Sequence, residues 1–418
     1  MPGSAAKRVK SGAIVDNWHF LASFDLTVVG TLLLLASVVA IASVRLRLPY
    51  SVGLVVAGLG LALVAPGSVP GLSRDLIFFV FLPPLVFEAA IQIPWKPFRR
   101  ELPLLSALVT LGVVMAAVIV ASGMHWFVGW SWIGAGLFGV LVAATDPVAV
   151  IAAFKQMLVP HRLHLLVESE SLLNDGTAAV GFAVLAAIAA GGNADAATIG
   201  LKLIGTVLGG IACGLGVSFA LVLLAGRTQD RLVEVMLTTL IAYGSFMLAE
   251  HLGGSGVIAT LSAGLVVGNY GFLGSFSDEG RQSVLNHWEF VAFLVNSLVF
   301  LLIGGDEAAV PIGTVLFASA VAIAVSLIGR AAAVYPVMIA FVRTRLCVPW
   351  AYKHVLFWGG LRGALALALS LALPAQVVER QQIIWVTFAV VAFSIVVQGI
   401  TMPMLVRRLG LLNDDKEA

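Results

Sequence analysis

Long apolar stretches separated by short polar connections run through this chain from residue 25 to residue 405. Thirteen can be counted, at 25 to 44, 49 to 65, 72 to 92, 102 to 123, 131 to 153, 166 to 190, 199 to 226, 232 to 252, 256 to 273, 287 to 304, 312 to 341, 353 to 373 and 382 to 405. Most have the length of about 17 to 25 residues with which a helix crosses a hydrocarbon layer, and the 256 to 273 stretch is short and Gly-rich. Strands of a membrane barrel need only about 9 to 11 residues of alternating polarity, so the pattern predicts helices. The expected fold class is an all-α polytopic membrane protein of about 13 transmembrane helices.

Composition narrows the picture further. With 60% hydrophobic and 11% charged residues, no water-soluble core could bury so many helices that are apolar all round. A net charge of +2 carries no signal for nucleic acid. Cys213 lies in an apolar stretch and Cys347 in a polar connection, which does not suggest a disulfide framework. Residues 1–24 hold Lys7, Arg8 and Lys10 with no apolar core ahead of a small-residue cleavage site, so they read as a polar tail rather than a cleaved signal. Residues 407–418 read as a short cytoplasmic tail.

Basic residues orient the spans. One set of connections carries sixteen Lys and Arg, among them Arg99, Arg100, Lys155, Arg162, Arg343, Arg345, Arg407 and Arg408; the opposite set carries six. The richer side is expected to face the cytoplasm of a cell (inner) membrane, with the N-terminus outside and the C-terminus inside. The basic N-terminal tail argues against this orientation. With an odd count, spans 1 to 6 and 8 to 13 have opposite topology, as in transporters built from two inverted six-helix repeats. Each half offers a break in its fifth span: Thr145-Asp146-Pro147, where proline removes a backbone donor, and Gly359-Gly360-Leu361-Arg362-Gly363.

Ionisable residues within these stretches are the candidate chemistry, since a charge in hydrocarbon costs about 2.5 to 3.5 kcal/mol on insertion scales. Asp146 and Thr145, beside freed backbone carbonyls, offer hard oxygen ligands to a small cation; the plainer reading is an Asp that caps freed amides. Asp175 shares a helical face with Ser171, and Asn174 stands beside it. A hydroxyl, an amide oxygen and a carboxylate suit Na⁺ or Li⁺ better than a soft transition metal. Protonation of that carboxylate abolishes its cation affinity, so one group can carry either a proton or a cation. Glu170 points off that face and is the preferred partner of Arg330. Arg362 also needs a counter-charge, and Glu168 either competes for an arginine or sits at the inner interface. Glu88 reads equally as an ion ligand, a gate or a satisfied core acid. Glu289 and Asn296 share a face suited to helix contacts, and His161 and His164 fall in a charged connection that reads as solvated loop. Glu250, His251, Asp306 and Glu307 stand at outer span ends, where hydrated charge needs no special role. No enzyme constellation, phosphate loop or soluble nucleotide domain is present, so transport must run on gradients, with no cofactor and no nucleotide.

These motifs resemble the sodium/proton exchangers of the monovalent cation:proton antiporter superfamily, in the bacterial branch related to the animal exchangers. The matching stretches are Phe-Leu-Pro-Pro-Leu-Val-Phe-Glu at 81 to 88, Ala-Thr-Asp-Pro-Val-Ala-Val at 144 to 150, Glu-Ser-Leu-Leu-Asn-Asp-Gly-Thr-Ala at 170 to 178, Trp288-Glu289 with Asn296 and the following Phe-Leu-Leu-Ile-Gly, Gly-Arg-Ala at 329 to 331, and Gly-Gly-Leu-Arg-Gly-Ala at 359 to 364. The resemblance implies a homodimer with a moving core of spans at 102–190 and 312–405 and a dimerisation domain of spans at 25–92 and 199–304, together making the 25–406 antiporter domain. It implies that Asp175 carries the ion and the proton, that Na⁺ is held by Asp175, Asp146, Ser171, Thr145 and Glu88, and that Glu170 and Arg330 form a buried pair. The Asn-Asp form at Asn174 implies electroneutral one-for-one exchange, serving sodium and pH homeostasis. A K⁺/H⁺ exchanger and a cation channel are the competing readings.

Overall fold

The computed structural model describes residues 26–46, 49–65, 71–157, 159–191, 196–271, 274–307 and 312–411. Its regular structure is helical, with no strand among the described residues. The expected N-terminal tail, with Lys7, Arg8 and Lys10, lies outside the described residues, as do residues 412–418 and the side chain of Asp306.

Helices occupy the apolar stretches. They are α1 (Leu26–Leu46), α2 (Tyr50–Val64), α3 (Leu76–Gln92) and α4 (Trp95–Val128), then α5 (Trp132–Ala143) and α6 (Val148–Met157) on either side of a break. After them come α7 (His161–Ala189), α8 (Ala196–Ala225), α9 (Arg231–His251), α10 (Gly256–Asn269), α11 (Asp278–Glu307) and α12 (Ile312–Ala340). A second break separates α13 (Trp350–Trp358) from α14 (Ala364–Leu371), and α15 (Arg380–Arg408) follows. Among the described residues, seven helices are long and apolar enough to cross a membrane: α4, α7, α8, α9, α11, α12 and α15.

Boundaries differ from the apolar pattern where polar residues continue a helix past the hydrophobic stretch. The α4 helix begins at Trp95, seven residues ahead of its apolar stretch, because Trp95 to Glu101 form about two amphipathic turns that bury Phe98. Likewise α7 begins at His161, so His161 and His164 stand on a helix and not in a loop. Side-chain caps mark other starts: Ser131 accepts from Gly134 N–H at 3.1 Å at α5, and Asp230 accepts from Leu232 N–H at 2.8 Å at α9.

Two sets of helices make the main contacts. In one, α2 lies on α11, α3 and α8 both lie on α10, and α9 flanks α8 and α10. The α2–α11 approach depends on glycine from both sides: a Cβ at Gly58 would stand 2.1 Å from the Leu301 carbonyl oxygen, and one at Gly304 2.0 Å from that of Val55. In the other, α4 lies against α5 and α12, α5 against α7 and α14, and α15 against α12 and α14. Large apolar side chains that remain exposed, such as Leu34, Leu63, Leu201, Leu208 and Phe317, fit a hydrocarbon surrounding.

Polar clasps hold the ends of the second set. On the basic side Arg162 of α7 pairs with both Glu101 oxygens of α4, at 2.8 and 3.1 Å, and donates to the Leu346 and Cys347 carbonyls ahead of α13. On the opposite side Glu379 accepts from Ser131 N–H at 2.8 Å and from its hydroxyl at 3.1 Å, tying α5 to the start of α15. Each clasp joins an element of the first half of the chain to one of the second.

Candidate functional site

The two breaks meet. Residues 144–147 between α5 and α6, and 359–363 between α13 and α14, run as non-helical backbone, and Asp146 N–H donates to the Leu361 carbonyl at 2.7 Å. Pro147 has no N–H to continue the helix, and the glycines at 359, 360 and 363 carry no Cβ to crowd the crossing. At Gly363 the close approach is absolute, for a Cβ there would stand 1.9 Å from Asp146 Oδ2.

Broken helices leave amides and carbonyls without intrahelical partners, and the side chains at the crossing answer that need by sign. Asp146 accepts from Val148 N–H at 2.9 Å and from the Ala364 backbone, placing its carboxylate at the N-termini of both α6 and α14. Arg362 donates from Nη1 to the Ala144 carbonyl at 3.3 Å, at the C-terminus of α5. Its own backbone is held by Ser394 of α15, whose hydroxyl accepts from Arg362 N–H at 2.9 Å. Asp146 therefore does cap freed amides, and it also faces an open cavity.

That cavity encloses about 270 Å³ and is lined by Thr145, Asp146, Ser171 and Asp175, together with Glu88, Glu168, Glu289 and Asn296. They come from α3, the α5–α6 break, α7 and α11, and Glu88, Glu168, Ser171 and Glu289 lie in the halves of their helices that lead to the basic connections holding Lys96, Arg162 and Arg281. The space thus extends from the crossing toward the basic face of the molecule. Thr145 and Ser171 meet here: the Ser171 hydroxyl hydrogen-bonds the Thr145 carbonyl, and the two hydroxyls lie 3.3 Å apart. Asp175 is reached by the Thr145 backbone, while its Oδ1 is buried with no hydrogen-bond partner. A carboxylate oxygen held in this way is a ready acceptor for a proton or a cation.

Asn174 turns elsewhere. It does not line the cavity; its Nδ2 lies 3.2 Å from Glu170 Oε1, 3.2 Å from the Ala143 carbonyl and 3.4 Å from Thr145 Oγ1. It thereby links the α5 break to Glu170. Behind it Glu170 and Arg330 form a bidentate pair at 2.6 and 2.8 Å, both side chains buried, and Arg330 donates further to the Leu356 carbonyl of α13 at 2.7 Å. Glu170 sits one residue from Ser171, about 100° around the helix, and turns to Arg330 rather than to the cavity.

Several positions differ from the sequence expectations. Glu168 partners neither arginine; its carboxylate lies 3.5 Å from His164 Nδ1, one turn earlier on α7. Glu289 and Asn296, expected on a face suited to helix contacts, also line the cavity. Glu88 also lines it and is hydrogen-bonded to Gln92. Glu250 accepts from Gly256 N–H at 2.8 Å, fastening the turn between α9 and α10. Sequence reasoning passed over Lys353, which is buried with its Nζ 4.1 Å from the centre of the Trp350 ring, and the signal was the Trp three residues before it. Among the described residues, no group of three or more His, Cys, Asp or Glu is arranged to hold a metal ion. The donors around the cavity are hard oxygens, which suit an alkali cation as cargo.

Comparison with known proteins gives a concordant picture. A family model described as "Sodium/hydrogen exchanger, transmembrane" matches residues 31–408. The chain is 40% identical over 384 residues to the Na⁺/H⁺ antiporter ApNhaP of Aphanothece halophytica, covering 91% of this chain and 73% of that protein. It is 38% identical over 379 residues to the low-affinity Na⁺/H⁺ antiporter NhaS1 of Synechocystis, covering 89% and 71%. Among solved structures, the sodium proton antiporter MjNhaP1 of Methanocaldococcus jannaschii at pH 8 superposes with a TM-score of 0.76 at 19% identity, over 92% of this chain and 98% of that one, which is a likeness of fold.

Proposed function

We propose, given that this chain belongs to the sodium/hydrogen exchanger family, that it is a secondary antiporter exchanging Na⁺ or Li⁺ for H⁺ through the cavity at the crossed breaks. Asp175 is the shuttling group, binding a cation when ionised and carrying a proton when neutral. The observation that carries this reading is its buried, unpartnered Oδ1 on a residue that lines an acid-lined cavity. Asp146, Thr145, Ser171 and Glu88 complete the oxygen ligands. That the similar Aphanothece and Synechocystis proteins are Na⁺/H⁺ antiporters supports the same substrates.

Competition at one carboxylate couples the two fluxes, because the cation and the proton cannot occupy it together. With Asn174 neutral and Glu170 committed to Arg330, one charge enters as one leaves, and exchange is electroneutral at one cation per proton. The helices around the crossing, α4 to α7 and α12 to α15, form a core that moves by alternating access against α1 to α3 and α8 to α11, which serve as the dimerisation domain. The division is supported by the contacts, which are most numerous within each of the two sets. The repeats have inverted topology, with the N-terminus outside, the C-terminus in the cytoplasm, and the cavity described here open to the cytoplasmic side.

The test is proton flux in liposomes containing the purified protein and a pH-sensitive dye. A Na⁺ or Li⁺ gradient is expected to drive proton movement in the wild type, with K⁺ as the comparison cation, and Asp175→Asn is expected to abolish it while the protein melts normally. An active Asp175→Asn protein would overturn the assignment.

A further inference from the structure

Glu168 has no role in the exchange just described, yet α7 delivers it into the same cavity. Glu168, Ser171, Leu172 and Asp175 recur at spacings of three and four residues, and all four line the space. Seven residues of helix separate Glu168 from Asp175, a rise of about 10 Å toward the basic face. Glu168 is therefore the α7 acid that a cation arriving from that face meets before Asp175.

Its surroundings keep it available. The side chain is about nine-tenths buried, so its charge is little screened by bulk water, and its partner is His164 at 3.5 Å from the preceding turn, an imidazole that carries a charge only when protonated. Neither Arg330 nor Arg162 engages it: Arg330 is taken by Glu170 and Leu356, and Arg162 by Glu101, Leu346 and Cys347. A carboxylate on the wall of a narrow cleft with apolar sides concentrates cations there more strongly than the same charge on an open surface.

We propose that Glu168 is a vestibule carboxylate that holds the incoming cation ahead of Asp175 and sets the apparent affinity for cations presented from the basic face. This rests on the exchange reading of the cavity. The acid acts on arrival and not on the crossing step, so its removal should change KM and not the maximal rate, and from one face only.

Sidedness makes the proposal testable in proteoliposomes. Cys347 is exposed in the basic connection ahead of α13, so labelling with a membrane-impermeant maleimide reports which way the protein is inserted. For Glu168→Gln, KM for Na⁺ added at the basic face is expected to rise about three- to tenfold at low ionic strength, with the maximal rate unchanged. The rise should shrink as choline chloride is added, Glu168→Asp should recover most of the affinity, and Na⁺ from the opposite face should show no change. An unchanged KM at the basic face, or an equal rise from both faces, overturns the proposal. Should E168Q fail to reach the membrane, His164→Ala frees the carboxylate and must lower KM from the basic face; an unchanged value there also overturns it. If the wild type shows no cation-driven proton flux, the exchange reading fails and takes this inference with it, whereas an exchanging wild type with an indifferent E168Q sinks this inference alone.

Discussion

Glu170 and Arg330 show how much a single buried pair carries. Both are inside the helix assembly, and removing one charge leaves the other without a counter-ion, a loss of about 3 to 5 kcal/mol. Glu170→Gln and Arg330→Met are each expected to melt at lower temperature in detergent and to exchange poorly. The double charge swap should recover part of the stability but not all, since a glutamate at 330 cannot donate to the Leu356 carbonyl. A swap no better than the single variants would count against the pair. This pairing is legible in the amino-acid sequence, because an arginine in an apolar stretch demands a partner, although Arg362, expected to need a counter-charge as well, donates to the Ala144 carbonyl instead. The partner of Glu168 is not: His164 falls in a polar connection by composition, and only the start of α7 at His161 places it one helical turn from that acid.

At the scale of elements, the crossing depends on what proline and glycine omit. Gly363→Ala would drive a Cβ into Asp146 Oδ2, a clash that can be relieved only by moving a carboxylate that caps two half-helices. Such overpacking costs about 1 to 3 kcal/mol, and the initial rate of exchange is expected to fall about tenfold or more. Gly60→Ala in α2, where a Cβ meets nothing within 4 Å, should leave the rate unchanged. Comparable rates in the two variants would show that the approach at Gly363 is not needed. Both breaks can be read from sequence by their matched positions in the fifth span of each half, since Pro147 and the three glycines weaken helix there, whereas Pro103, Pro336 and Pro403 stand inside unbroken helices. Their contact, Asp146 N–H to the Leu361 carbonyl, joins residues more than two hundred positions apart, and nothing local predicts it.

For the whole molecule, the arrangement of charge makes a prediction about voltage. Moving one net charge across a membrane is worth about 2.3 kcal/mol per 100 mV, which would alter the rate or steady state of an electrogenic exchanger several-fold. With one shuttling carboxylate, Na⁺-driven proton flux is expected to change by less than about twofold when a potential is imposed with K⁺ and valinomycin. A strong response would refute one-for-one exchange. The same scale explains why the place of Glu289 and Asn296 on the cavity wall is not legible in the sequence. A shared helical face is visible in the spacing of residues, but whether it meets a neighbouring helix or an aqueous cavity depends on how α11 is set against α3 and α7.

The amino-acid sequence by itself determined that this is a helical membrane protein, where its helices run, where two of them break, and which acids and arginines cannot stand alone. Those properties follow from local rules: hydrocarbon demands about twenty apolar residues per helix, proline and glycine interrupt the backbone, and charge in an apolar setting demands a partner. Only the tertiary structure decided that the two breaks cross, that Asp146 caps both half-helices while Asn174 turns to Glu170, and that Glu88, Glu168 and Glu289 face one cavity with Asp175. The reason is physical. Each of these is a meeting of faces from distant segments, set by how whole helices pack, and helical periodicity defines the faces without naming their partners.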